Sequence, residues 1–198
     1  GEAAAAAMIA ARTADGRFSS FRFVVGTVPG AWRPVLPAFV SDPNAWLKDV
    51  KPFLIRSASQ FRSDPPYRLT SRKYAKDFDE VKSSGSATST ARTADQTLAA
   101  RYWAENPPAT WNRIVRTISA QQGLSLVDNA RLFAELYMTA ADSLINVWDD
   151  KAHYSFWRPI TAIREADTDG NPRTDPDAGW LPLIATPPYP ENSSGHGA

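Results

Sequence analysis

Seven prolines lie between Arg17 and Pro66, at positions 29, 34, 37, 43, 52, 65 and 66, and they forbid long helices there. The proline ring fixes φ and removes the N–H that a helix interior needs. The same stretch carries Phe18, Phe21, Phe23, Trp32, Phe39, Trp46, Phe53 and Phe61. So many large apolar anchors are foreign to a disordered linker. The expectation is an ordered, irregular segment that wraps over a body built elsewhere.

That body reads as helical. Glu2 to Arg12 is alanine-rich and favours helix by propensity, with Asp15-Gly16 as its stop. A helix is expected from Thr70 or Ser71, either of which can cap it, to Gly85. Another runs from about Ala91 to Glu105, closed by Pro107 and Pro108, and a third from about Ala109 to Gln122, with Trp111, Ile114, Val115 and Ile118 at helical spacing. The strongest spans Ser125 to about Asp150. Its apolar positions, from Leu126 through Phe133, Tyr137 and Leu144 to Trp148, cover much of the circumference, which predicts a central helix buried in a bundle. No alternating strand pattern is convincing. The fold class expected is mainly α, one helical domain over residues 1–198 with a proline- and aromatic-rich N-terminal wrap.

Composition narrows function mostly by exclusion. The 198 residues suffice for one domain with a sizeable core, and 43% hydrophobic with 22% charged residues is ordinary for a globular protein. A net charge of +1 gives no reason to expect nucleic acid or an anionic membrane as partner. Without cysteine, disulfides, thiolate catalysis and cysteine metal sites are excluded. No apolar run approaches the roughly 20 residues of a membrane span. The start, GEAAAAAMIAAR, lacks both an initiator methionine and the basic n-region of a signal peptide.

Two segments carry chemistry: WDDKAHYSFWRP, Trp148 to Pro159, and PPYPENSSGHGA, Pro187 to Ala198. Lys151 and Arg158 are seven residues apart, nearly two turns if the helix continues, though Pro159 disfavours helix at Arg158. An ammonium and a planar guanidinium together grip an oxyanion. Taken alone, the pair fits a surface role better, neutralising Asp149, Asp150 and Glu165. The second segment adds Ser194, Gly195 and His196, small residues suited to opening a helix whose free N–H groups attract an anion, beside an imidazole that can trade protons near neutral pH.

The spacing Lys-x6-Arg-Pro, followed some 35 residues on by Ser-Gly-His, resembles the first two signature motifs of the vanadium-dependent haloperoxidase and type 2 phosphatidic acid phosphatase superfamily. KAHYSFWRP and TPPYPE look closer to the haloperoxidase-like bacterial branch. The resemblance implies that Lys151, Arg158, Ser194 and Gly195 hydrogen-bond vanadate oxygens. It makes His196 the acid–base residue and Lys151 the group that polarises peroxide. Trp148 and Tyr189 match positions lining the halide side, while His153 is given a structural role with Tyr154 and Phe156. The implied reaction takes hydrogen peroxide and halide to hypohalous acid. Hydrolysis of a phosphate ester, with phosphate in the same cradle, stays open as the second reaction.

Two departures stand out. Ser193 occupies a position where proline is common. The third motif, a further arginine and the histidine that bonds vanadium, is absent from the 198 residues, so the expectation is the N-terminal part of an enzyme, truncated before that motif. The protein partners expected are a homo-oligomer or a complementing C-terminal chain, the latter able to supply the missing groups, and a catalytically silent helical fragment is the reading from outside enzymology. Family habit places the protein in a secreted or periplasmic setting.

Other signals are weaker. Asp167 to Asp177 has the acidity of a calcium loop, but its glycine and its twelfth residue are wrong for one, so an Asp-Gly/Asn-Pro turn is expected. Asn192-Ser193-Ser194 is formally a glycosylation sequon, although its serine falls in the anion site. Trp103, Trp111, Trp157 and Trp180 read as core anchors.

Overall fold

The computed structural model describes residues 1–197. Among them are six α-helices, two short 3-10 turns and no β-strand. The helices are α1 (Glu2–Ala11), α2 (Arg72–Gly85), α3 (Ala94–Trp103), α4 (Pro107–Gln122), α5 (Leu126–Tyr154) and α6 (Pro159–Arg164). The 3-10 turns are Ala45–Asp49 and Ala166–Thr168. The mainly α expectation and the irregular wrap both hold.

Local chemistry sets the boundaries. Ser71 caps α2 by accepting the Tyr74 N–H, and Thr93 and Gln96 form a reciprocal capping box on α3. Gly123 ends α4 in the left-handed region at φ 58°. Pro107 and Pro108 were expected to close α3; instead they open α4, in its first turn, where a missing N–H costs nothing.

Two cores hold the molecule. In one, α2 packs on α6, gathering Tyr74, Phe78, Trp157, Ile160, Ile163 and Trp180. In the other, the C-terminal half of α5 lies against the 3-10 turn at 45–49, and Phe23, Trp32, Ala45, Val147 and Trp148 interlock. The expectation that α5 is buried along its length fails. Its buried residues begin at Asp142, while Leu126 and Val127 are 86% and 76% exposed. The apolar circumference of the sequence is real, but its burial is confined to the C-terminal turns; nearer its start α5 touches α4, where Ser119 donates to Asn129 and Asn112 to Tyr137, without burying its apolar residues. Trp103 and Trp111 likewise stand 57% and 49% exposed rather than in a core, whereas Trp157 and Trp180 are buried.

Carboxylates on α5 tie the wrapping segment down. Asp142, nearly fully buried, accepts the backbone N–H groups of Phe53, Leu54 and Ile55 at 2.7, 2.6 and 2.9 Å. The loop just after Pro52 thereby satisfies three donors without secondary structure of its own. Asp149 pairs with Arg62, and Asn146 donates to the Ala58 carbonyl. At the far end of the wrap, Gly16 sits at φ 90° with the Asp49 carbonyl oxygen 2.0 Å from where a Cβ would be, so only glycine fits. Asp167 to Asp177 forms the expected turn: Asp169 accepts from Asn171 N–H and Thr174 Oγ1.

Replacing Asp142 with Ala removes the acceptor of three part-buried N–H bonds, and we expect a loss of about 2 kcal/mol or more in urea denaturation. A loss below about 0.5 kcal/mol would show that the wrap is held by its aromatics alone.

Candidate functional site

Helix α5 ends at Tyr154, and Ser155 turns the chain in the left-handed region at φ 42°. Arg158 is the N-cap of α6. Lys151 and Arg158 therefore do not share one continuous helix face; the turn between α5 and α6 brings them together. Antiparallel bridges then pair Phe156 with Ala31 on one side and with Glu191 on the other, so the C-terminal segment runs alongside this turn.

Lys151 is 1% exposed, a rare situation for an ammonium. Its Nζ donates to the carbonyl oxygens of Pro190 at 3.0 Å and Ser193 at 2.6 Å. Of its three N–H donors one is left over. Arg158, 11% exposed in its side chain, donates from Nη1 to Glu191 Oε2 at 2.8 Å, and its buried Nε has no partner among the described residues. Both cations stand over the ring of Tyr189, Lys151 Nζ at 4.8 Å and the Arg158 guanidinium carbon at 5.5 Å from its centre. The surface role for the pair is thus excluded. Asp149 belongs to Arg62 and Glu165 to Arg33, while Asp150 is buried, accepting from Ser193 Oγ at 3.0 Å and from the Ser63 N–H.

Burial pushes the Lys151 ammonium down from its usual range to about 8; Glu191 pulls it back up, Arg158 pushes it further down, and Asp150 and Asp42 raise it. Burial also raises the Tyr189 hydroxyl, which Arg158 partly counteracts. Trp148 packs on Tyr189 with ring centres 5.2 Å apart, its Nε1–H spent on Asp42 Oδ2 at 3.0 Å. Arg158, Tyr189 and His196 line a common groove of about 710 Å³. Ser194 instead fronts a cavity of about 490 Å³ with Asp150 and Ser193, and Gly195 lies over the Trp148 ring. Residues 194–197 form a turn, closed by Gly197 N–H on the Ser194 carbonyl, not the first turn of a helix.

Residues 131–198 match the family model for the VCPO second helical-bundle domain. The vanadium chloroperoxidase of Curvularia inaequalis is 30% identical over 182 residues, a match covering 75% of this chain and 29% of that protein. The crystal structure of a bacterial vanadium-dependent iodoperoxidase superposes with a TM-score of 0.74 at 27% identity, over 90% of this chain and 44% of that one. The chain belongs to the vanadium haloperoxidase superfamily. It spans less than half the length of either relative.

Within this vanadium haloperoxidase superfamily chain, Lys151, Arg158 and Tyr189 form one cluster, His196 reaches its groove, and Trp148 backs it. Ser194 and Gly195 stay beside the cluster. Sequence reading overlooked Glu191, the carboxylate facing Arg158. A signal existed: between Asp177 and the last residue it is the sole acidic residue, set in the segment assigned to anion binding. It also overlooked Asp42, whose only mark is the proline that follows it.

Lowering of the Lys151 pKa carries a sign. Between pH about 8 and 10.5 the unfolded chain holds a proton that the folded chain has released, so stability rises with pH across that window. Chemical denaturation at a series of pH values should show wild type gaining on a Lys151→Met variant from pH 8 to 10.5. A gap that stays constant would mean that the ammonium titrates as in water.

Proposed function

We propose that this chain carries the oxyanion cradle of a vanadium-dependent haloperoxidase, an oxidoreductase converting halide and hydrogen peroxide to hypohalous acid. The observation that carries the reading is the pairing of a buried lysine with a nearly buried arginine over one tyrosine ring, with donors of both left unspent. That donor chemistry fits a tetrahedral oxyanion, vanadate or phosphate. Glu191 is the one carboxylate paired with either cation among the described residues, while the buried Asp150 and Asp42 act on Lys151 from farther off, so the spare donors face an incoming oxyanion with one direct competitor. Membership of the superfamily supports vanadate as the resident group.

When bound, vanadate supplies Lewis acidity toward peroxide. The protein's own contribution is electrostatic and protonic. Lys151 and Arg158 offset charge on the oxyanion and on peroxide held there, and low local polarity strengthens both interactions. Ser194 Oγ accepts the His196 backbone N–H at 3.3 Å and so ties His196 to the loop, while Ser194 itself faces the neighbouring cavity. His196, at the mouth of the Arg158 groove, takes up and returns protons. Trp148 and Tyr189 supply an apolar wall on which a weakly hydrated halide can rest.

The test is bromide-dependent oxidation of a phenol by hydrogen peroxide, run on the full protein with and without added vanadate. We expect turnover only with vanadate, and a fall in kcat of about a hundredfold or more for His196→Ala. Hydrolysis of p-nitrophenyl phosphate without bromide oxidation would assign the cradle to a phosphatase instead.

A further inference from the structure

Glu191 is the one acidic side chain in contact with Arg158 among the described residues, and its surroundings are built to keep it there. Its backbone N–H is fixed on the Phe156 carbonyl at 2.9 Å. Pro190 just before it and Ser193 two residues after it are the two whose carbonyls hold Lys151. Glu191 therefore sits inside the loop that clamps the lysine while its carboxylate caps the arginine. Among the charges that keep Lys151 protonated, that of Glu191 acts most strongly. Its side chain is 33% exposed, so it can swing out, whereas Lys151 and Arg158 cannot leave.

We propose that Glu191 is an internal counter-anion of the oxyanion site, a specificity-determining residue that an incoming oxyanion must displace from Arg158 or share it with. The proposal rests on the cradle reading above. A carboxylate presents two oxygens and one charge to the guanidinium, as a small monoanion does. A monoanion gains nothing by replacing Glu191, whereas a dianion with three or more oxygens can meet Arg158 and the spare Lys151 N–H together. Glu191 thus selects dianionic tetrahedral oxyanions against nitrate and halide at the cationic pair, and keeps halide free for the aromatic wall.

The experiment is calorimetric titration of inorganic phosphate and of nitrate into the wild-type chain, Glu191→Gln, Glu191→Ala and Arg158→Met, with thermal melts as the check on folding. We expect phosphate to bind about ten- to a hundredfold more tightly to Glu191→Gln, the range for freeing one charge-assisted hydrogen bond. Nitrate should gain at least as much, so the preference for phosphate narrows, and Glu191→Ala should behave alike. Unchanged or weaker phosphate binding in both Glu191 variants, with binding lost in Arg158→Met, would overturn the role of Glu191 and leave the cradle standing. Equal phosphate binding by wild type and Arg158→Met would overturn both.

Discussion

A buried ammonium governs the arrangement of this molecule. Lys151 leaves α5 one turn before the helix ends and points into protein, where an unpaired charge would cost several kcal/mol. Its partners come from the C-terminal segment: the carbonyls of Pro190 and Ser193, the carboxylate of Glu191 nearby, and the face of Tyr189. These groups lie some forty residues away in sequence, so they can serve the lysine only if the segment folds back over the turn between α5 and α6. The Phe156 bridges to Ala31 and Glu191 hold it there. The contacts that dock the C-terminal segment are thus the same ones that surround Lys151.

Helix α5 does the rest of the organising through its acids. Asp142 collects the backbone after Pro52, Asp149 takes Arg62, and Asp150 joins Ser63 of the wrap to Ser193 of the site segment. The wrap lacks a helix or strand ladder to satisfy its own N–H groups, so these carboxylates replace one. Trp148 extends the same logic, its ring in the core with Phe23 and Trp32 while its N–H reaches Asp42. About three turns at the C-terminal end of α5 thus carry the apolar core, the tethers and Lys151 around the helix circumference.

Much of this was legible in the sequence, and what was missed has a common cause. Helix starts and stops written in local chemistry, such as Ser71, Gly123 and Ser125, lie where propensity and capping put them. The membership of Lys151, Arg158, His196 and Tyr189 in one neighbourhood also followed from spacing and resemblance. Burial was less readable. A helix that is apolar all round says that it can be covered, not what covers it, and so Leu126, Trp103 and Trp111 misled while Trp157 did not. Pairing was least readable, because Glu191 and Asp42 act across tertiary contacts that no periodicity encodes. Prolines 107 and 108 show a related ambiguity: the same residues can end one helix or begin the next.

The central claim is that Lys151 and Arg158 form an oxyanion site and not a structural ion cluster. Titration of orthovanadate into the protein, followed by vanadium-51 NMR, reads this directly in wild type and in a Lys151→Met, Arg158→Met double variant. A bound vanadate signal in wild type that phosphate displaces and that the folded double variant lacks is the outcome predicted. Equal vanadate binding by the two proteins would contradict it.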